Sequence, residues 1–217
     1  DLTRSGVMAA PQIKRRYWPQ ARNLFTTWER LRELCRAGYI ACATLGVGQE
    51  AAYLPTGRGV AVTGLALPPP RCRPEFRTAV WHYLSVGDLA DALLARFPGG
   101  QWTTERELRR AHGGARAAVP PRGTIPDGVL TVAGRRMAVE CELTLKAAAA
   151  YARSVARYRR HLAAGAFDRV QWFVLGAGAQ RQLARAIQRD GDGRRMCVAA
   201  LPAGVTIYGH RGHDGRP

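Results

Sequence analysis

Three consecutive prolines, Pro68-Pro69-Pro70, constrain this chain more than any other feature. Each lacks an amide donor and holds its φ near the polyproline value, so neither a helix nor a central strand can run through them. An extended connector is expected there, with residues 1–70 forming one domain and 71–217 a second. The 217 residues are enough for two modest cores. Hydrophobic residues at 47% and charged residues at 23% match ordinary globular usage and exclude wholesale disorder. Basic residues exceed acidic ones by 17. That balance favours a polyanionic partner, either nucleic acid or an acidic membrane surface. Lys14 and Lys146 are the only lysines, so almost every cation is Arg. Coding bias also favours such Ala, Gly and Arg richness, but the field exists whatever its origin.

The five cysteines, Cys35, Cys42, Cys72, Cys141 and Cys197, are odd in number and scattered, mostly among apolar neighbours. They do not form a disulfide framework by spacing, and reduced thiols in a cytoplasmic protein are expected. No uninterrupted apolar stretch is long enough to cross a bilayer, so no membrane partner is expected. The chain opens on Asp-Leu-Thr-Arg-Ser, neither a signal peptide nor an initiator methionine, so further residues are expected before Asp1.

In the first domain, Ala9 to Trp18 predicts a short helix with Pro11 in its first turn and Pro19 just past its end. Thr26 with Glu29 three residues on reads as a capping box. Trp28, Leu31, Leu34 and Cys35 then recur at helical spacing until Gly38. Tyr39-Ile40-Ala41-Cys42, a turn through Gly46 and Gly48, and Ala51-Ala52-Tyr53-Leu54 predict a β-hairpin. The order helix, turn, helix, hairpin resembles a winged helix-turn-helix domain. Gly38-Tyr39-Ile40 before the hairpin and Tyr53-Leu54-Pro55-Thr56-Gly57-Arg58-Gly59 after it match that family's rhythm. The resemblance implies DNA binding, with the helix from about Thr27 to Ala37 entering a major groove. Its candidate contacts are Arg22, Asn23, Thr26, Thr27, Arg30 and Arg32. Lys14, Arg15 and Arg16 on the preceding helix are candidates for phosphates. The same residues also suit a solvated basic face or a protein-binding wing.

In the second domain, Val86 to Phe97 predicts a helix ended by Pro98-Gly99-Gly100. Thr103 or Thr104 is expected to cap the next, which carries acids in its first turn and bases later. Gly113 to Pro126, with Pro120-Pro121 and Gly123, reads as an internal loop. Ile125-Pro126-Asp127-Gly128-Val129-Leu130 then leads into a strand. From Arg136 to Thr144, Met137, Val139, Cys141 and Leu143 alternate with Ala138, Glu140, Glu142 and Thr144. Two carboxylates side by side on one strand face repel, so the arrangement calls for a cation: a metal ion, Lys146 or a nearby Arg. Asp127, on the other arm of a hairpin, can converge on the same point. Ala147 to Ala164 predicts a helix with Tyr151, Val155, Tyr158 and Leu162 on its apolar stripe. A buried strand from Arg169 to Leu175, a helix from Ala179 to Arg189 and a strand near Met196 to Leu201 complete an α/β alternation.

Pro126-Asp127 with Glu140-Cys141-Glu142 resembles the metal-binding core of the PD-(D/E)XK nuclease superfamily. The resemblance implies a central mixed sheet flanked by helices. Adding Trp81-His82-Tyr83-Leu84, Trp102 to Arg109 and Leu143-Thr144-Leu145-Lys146, the chain as a whole resembles the replication-relaxation family of plasmid and mobile-element proteins. In the nuclease reading Asp127 and Glu140 hold Mg²⁺ or Mn²⁺, because hard cations prefer carboxylate oxygen. Glu142 stands where related nucleases more often place Lys, as a further ligand or a water-orienting base. Lys146, on the same side by strand parity if the strand extends that far, stabilises developing charge. Glu107 resembles the helical acid that some members add to the metal site. Arg153 and Arg157, with Arg160, and Arg181, Arg185 and Arg189 form stripes suited to phosphates. Double-strand cutting usually needs two active sites, which makes a homodimer plausible. The alternatives are a non-catalytic replication or transfer accessory factor with a degenerate nuclease fold, and a protein-interaction module. In those, Glu140 and Glu142 pair with Arg135, Arg153 or Arg157 on a wet face. Tyr151 and Tyr158 are expected in the core. The tail histidines His210 and His213 are too sparse for a metal site.

Overall fold

Three short strands pair first: β1 (Met8–Ala9), β2 (Ile40–Thr44) and β3 (Ala51–Pro55), antiparallel in the order β1-β3-β2. A computed structural model describes residues 1–44, 51–70, 74–113, 125–190 and 193–208. The helices α1 (Leu2–Ser5), α2 (Ala10–Tyr17), α3 (Phe25–Arg36) and α4 (Gly57–Ala61) accompany this sheet. Strand periodicity divides its residues between two clusters. Met8 and Tyr53 pack with Ala10, Ile13, Leu31 and Ile40, whereas Ala9, Ala52 and Leu54 pack with Val7, Val80, Leu84 and Tyr208.

Helix α2 carries Pro11 in its first turn as expected, and buried Gln12 fastens its start. Its Oε1 accepts the Ala9 amide at 2.9 Å and its Nε2 donates to the Leu84 carbonyl at 2.7 Å. Helix α3 departs from expectation at its start. Asn23 Oδ1 accepts the Phe25 amide at 3.0 Å and Leu24 takes the cap position, so the Thr26–Glu29 box does not form. The chain therefore enters the helix earlier, and Thr26 falls inside the first turn. Its inward line is Thr27, Leu31 and Cys35, four residues apart. Trp28 and Leu34, read as part of the apolar stripe, stand 48% and 39% exposed, because the three-stranded sheet is covered by one narrow row of side chains. The helix ends as the sequence indicates. Gly38 adopts φ 75°, its amide meets the Cys35 carbonyl at 2.9 Å and the Tyr39 amide meets the Leu34 carbonyl at 3.0 Å.

The second sheet has the order β4-β5-β6-β7-β8, built from β4 (Gln101–Thr104), β5 (Gly128–Val132), β6 (Arg135–Glu142), β7 (Arg169–Val174) and β8 (Met196–Ala200). The first two pairings are antiparallel and the last two parallel, so β6 has an antiparallel neighbour on one side and a parallel one on the other. Helix α5 (Pro74–Arg96) starts well before the expected Val86. Helix α6 (Glu105–Gly113) follows β4, α7 (Ala148–Ala163) joins β6 to β7, and α8 (Ala177–Asp190) joins β7 to β8. Parallel pairing needs such crossovers. Tyr151, Val155, Tyr158 and Leu162 of α7 and Ala179, Leu183 and Ile187 of α8 share one core with Val129, Ala138, Val170, Trp172 and Val174.

The whole is a mixed α/β chain of two units, Asp1–Gly87 with the segment that starts at Ile207, and Asp88–Thr206. Pro68–Pro70 lies within the first, whose core takes in Val80 and Leu84 of α5. Among the described residues no helix is long and apolar enough to cross a membrane. Cys35, Cys42, Cys141 and Cys197 are free thiols. The Gly46–Gly48 turn, most of the Gly113–Pro126 loop, Cys72, His210 and His213 lie outside the described residues.

Candidate functional site

Asp127 immediately precedes β5, and its Oδ2 accepts the Cys141 amide of β6 at 2.7 Å. That bond crosses the hairpin and sets the carboxylate beside Glu140 and Cys141. Glu140 and Glu142 share the strand face of Ala138, in register with Trp172 and Val174 of β7. This is the face that α7 and α8 cover, not a wet one. Glu142 is buried and Glu140 half-buried.

A residue read only as core reaches into this cluster. Tyr158 is fully buried on α7, stands edge-on to Trp172 with ring centroids 5.2 Å apart, and donates its hydroxyl to Glu140 Oε1. Burial above all, and then the Asp127 charge, raise the Glu140 carboxyl well above its ordinary value; the Tyr158 hydrogen bond and Lys146 only partly offset this. Burial and the Glu140 charge raise the Tyr158 hydroxyl in turn. Burial and the three neighbouring carboxylates push the Cys141 thiol up, which makes it a packing group and no nucleophile.

Lys146 arrives by a different route from the one expected. Strand β6 stops at Glu142, and strand parity no longer applies beyond it. The turn is fastened by Tyr151, whose hydroxyl accepts the Lys146 amide at 3.1 Å and donates to the Thr144 carbonyl at 3.3 Å. Lys146 Nζ then meets Glu142 Oε2 at 2.5 Å. Burial works against its charge, but the Glu142 carboxylate outweighs burial and the ammonium is held above its ordinary value. No ion pair joins either glutamate to Arg135, Arg153 or Arg157 among the described residues.

Asp127, Glu140, Glu142 and Lys146 are thus brought together, while Glu107 serves a local purpose. Thr104 and Glu107 form a capping box. The Glu107 amide donates to Thr104 Oγ1 at 3.3 Å, and Glu107 Oε2 accepts the Thr104 amide and hydroxyl, each at 2.8 Å. Among the described residues no group of three His, Cys, Asp or Glu side chains is set to hold a metal ion. The signal for Tyr158 was present in the sequence: a tyrosine inside an apolar stripe must bring its hydroxyl to a partner.

In the first unit, Arg15, Arg22, Asn23, Thr26, Arg30 and Arg32 are exposed, and Lys14 and Arg16 are half-buried. Arg16 lies 3.7 Å from Asp1, and Arg30 is paired with Glu33 at 2.9 Å. Thr27 is a correction: it is fully buried on the inward line of α3 and cannot meet an outside partner. In the second unit Arg153 and Arg157 are exposed on α7. A scan against protein-family models and searches of curated proteins and of solved structures returned no match.

Proposed function

We propose that this chain is a DNA-binding protein whose second unit carries a metal-dependent endonuclease site for phosphodiester hydrolysis in plasmid or mobile-element DNA. In this reading the first unit is a winged helix-turn-helix domain and the second a PD-(D/E)XK-like domain of the replication-relaxation type. The observation that carries it is the meeting of Asp127 and Glu140 across the β5–β6 hairpin. The Asp127 charge acts directly on a Glu140 carboxyl that burial has already pushed up. Such a donor set of hard oxygens in excess negative charge fits Mg²⁺ or Mn²⁺ held by Asp127 and Glu140. When bound, the ion supplies an activated water and neutralises charge on the scissile phosphate.

The chain's own groups do the rest. Tyr158 fixes the rotamer of Glu140 through its hydroxyl. Glu142, beside them on β6, is the group to orient the attacking water, and Lys146 holds positive charge where the phosphate becomes more negative. Arg22, Asn23, Thr26, Arg30 and Arg32 present the first unit's polar side to DNA. A non-catalytic accessory factor is the second reading. Its support is the Lys146–Glu142 pair, in which each charge already has a partner.

The deciding experiment incubates supercoiled plasmid with protein in Mg²⁺, in Mn²⁺ and in chelator, beside Glu140→Ala. Metal-dependent nicking or linearisation that Glu140→Ala lacks supports the nuclease. Plasmid bound but uncut in every arm moves the assignment to the accessory factor.

A further inference from the structure

Helices α7 and α8 form the layer that covers the carboxylate face of the second sheet. The buried stripe of α7 is Tyr151, Val155, Tyr158 and Leu162, and half a turn away lie Arg153, Arg157 and Arg160, all exposed. Helix α8 repeats the plan, with Ala179, Leu183 and Ile187 inward and Arg181, Arg185 and Arg189 outward, all exposed. Helix α7 contains no acidic residue and α8 only Asp190, at its end. None of these six guanidinium groups has an ion pair or hydrogen bond among the described residues. A groove of about 290 Å³ runs between the helices, lined by Ala148, Ala152, Val155, Gln182, Ala186 and the bases Arg185 and Arg189.

Arginines spaced four residues apart on one helix repel one another, and an ordinary wet face relieves this with interspersed acids. Coding bias favours Arg over Lys; it does not strip carboxylates from two neighbouring helices. The layer therefore calls for an external anion, and guanidinium forks match phosphate oxygens in pairs. A membrane surface is the poorer match. An interfacial helix needs large apolar side chains at the wet boundary, whereas among the described residues the exposed large apolar ones are Tyr17, Phe25, Trp28, Leu34, Val62 and Leu145, none of them on α7 or α8.

We propose that the outer face of α7 and α8 is a binding surface for the sugar-phosphate backbone of nucleic acid, gripped by the arginine rows of the two helices, with Arg185 and Arg189 of the α8 row lining the groove. The contact is independent of base sequence and separate from both the first unit and the carboxylate site.

The test measures affinity of the full chain for a fluorescent mixed-sequence DNA duplex across a salt series. It compares the wild type, Arg181→Ala/Arg185→Ala/Arg189→Ala and the matching triple Lys variant. Each lost phosphate contact lowers the slope of log affinity against log salt by about 0.9, so the Ala variant should lose about two to three units of slope. Its affinity should fall at least about tenfold near 0.1 M salt. The Lys variant should keep the wild-type slope, which separates charge from any packing effect. Wild-type slope and affinity in the Ala variant overturn the proposal. So does equal, arginine-dependent binding of the wild type to phosphatidylserine vesicles at the same salt. Glu140→Ala should retain the full slope, so loss of cleavage and loss of this surface are read independently.

Discussion

The surroundings of Glu140 oppose its charge, burial first and the Asp127 carboxylate next. In the metal-free protein its raised carboxyl stays protonated to higher pH in the folded chain than in the unfolded one. The stability this contributes is fully present below the ordinary value near 4.5 and is lost as pH rises through the raised one. Urea unfolding in chelator should therefore show the wild type weakening relative to Glu140→Gln as pH climbs from about 4.5 towards neutrality. Parallel pH profiles for the two proteins contradict the assignment. Tyr158→Phe removes the one hydroxyl donated to that carboxylate and leaves the ring stack on Trp172. We expect a loss of about 1–3 kcal/mol at neutral pH, checked by the urea midpoint, because a buried acceptor loses its donor.

At the scale of elements, the β4–β5 pairing depends on an absent side chain. Gly128 follows Asp127, and a Cβ there would overlap the Trp102 ring. Gly128→Ala should force β4 and β5 apart and lower stability by about 1–3 kcal/mol, read from thermal unfolding, with Asp127 displaced as a consequence. The elements legible in the sequence were those with long periodic patterns. The four-residue stripe of α7 was legible because burial and period coincide there; β6 is buried on both faces, so its alternation separated carboxylates from apolar residues without marking a wet side. Strand β1, two residues long, and the five-residue α4 carry too few side chains to show any period. The start of α3 was misread because Asn23 supplies a local cap before Thr26 has the opportunity. The carboxylates of the site were legible because like charges on one face must be explained. That Tyr158 needs a partner was legible too, but not which one, since Glu140 lies 18 residues earlier on the preceding strand.

For the whole molecule the net charge of +17 is unevenly employed. Helix α3 mixes Arg30, Arg32 and Arg36 with Glu29 and Glu33, and Arg30 is already shared with Glu33, whereas the outer rows of α7 and α8 are basic without relief. Arg30→Ala should accordingly weaken duplex binding by only about a few-fold, less than the triple substitution on α8, in the same salt series. A larger loss from Arg30→Ala than from the α8 triple contradicts that ranking.

The position of β6 between an antiparallel and a parallel neighbour also bears on the order of assembly. Asp127 and Cys141 are joined by a hairpin only 14 residues apart, so their bond closes a small loop at little entropic cost. Tyr158 reaches Glu140 only after the longer α7 crossover has docked. A nascent chain therefore brings its acidic groups together before it brings the hydroxyl that steadies them. The docking of α7 is thus the step that completes the cluster.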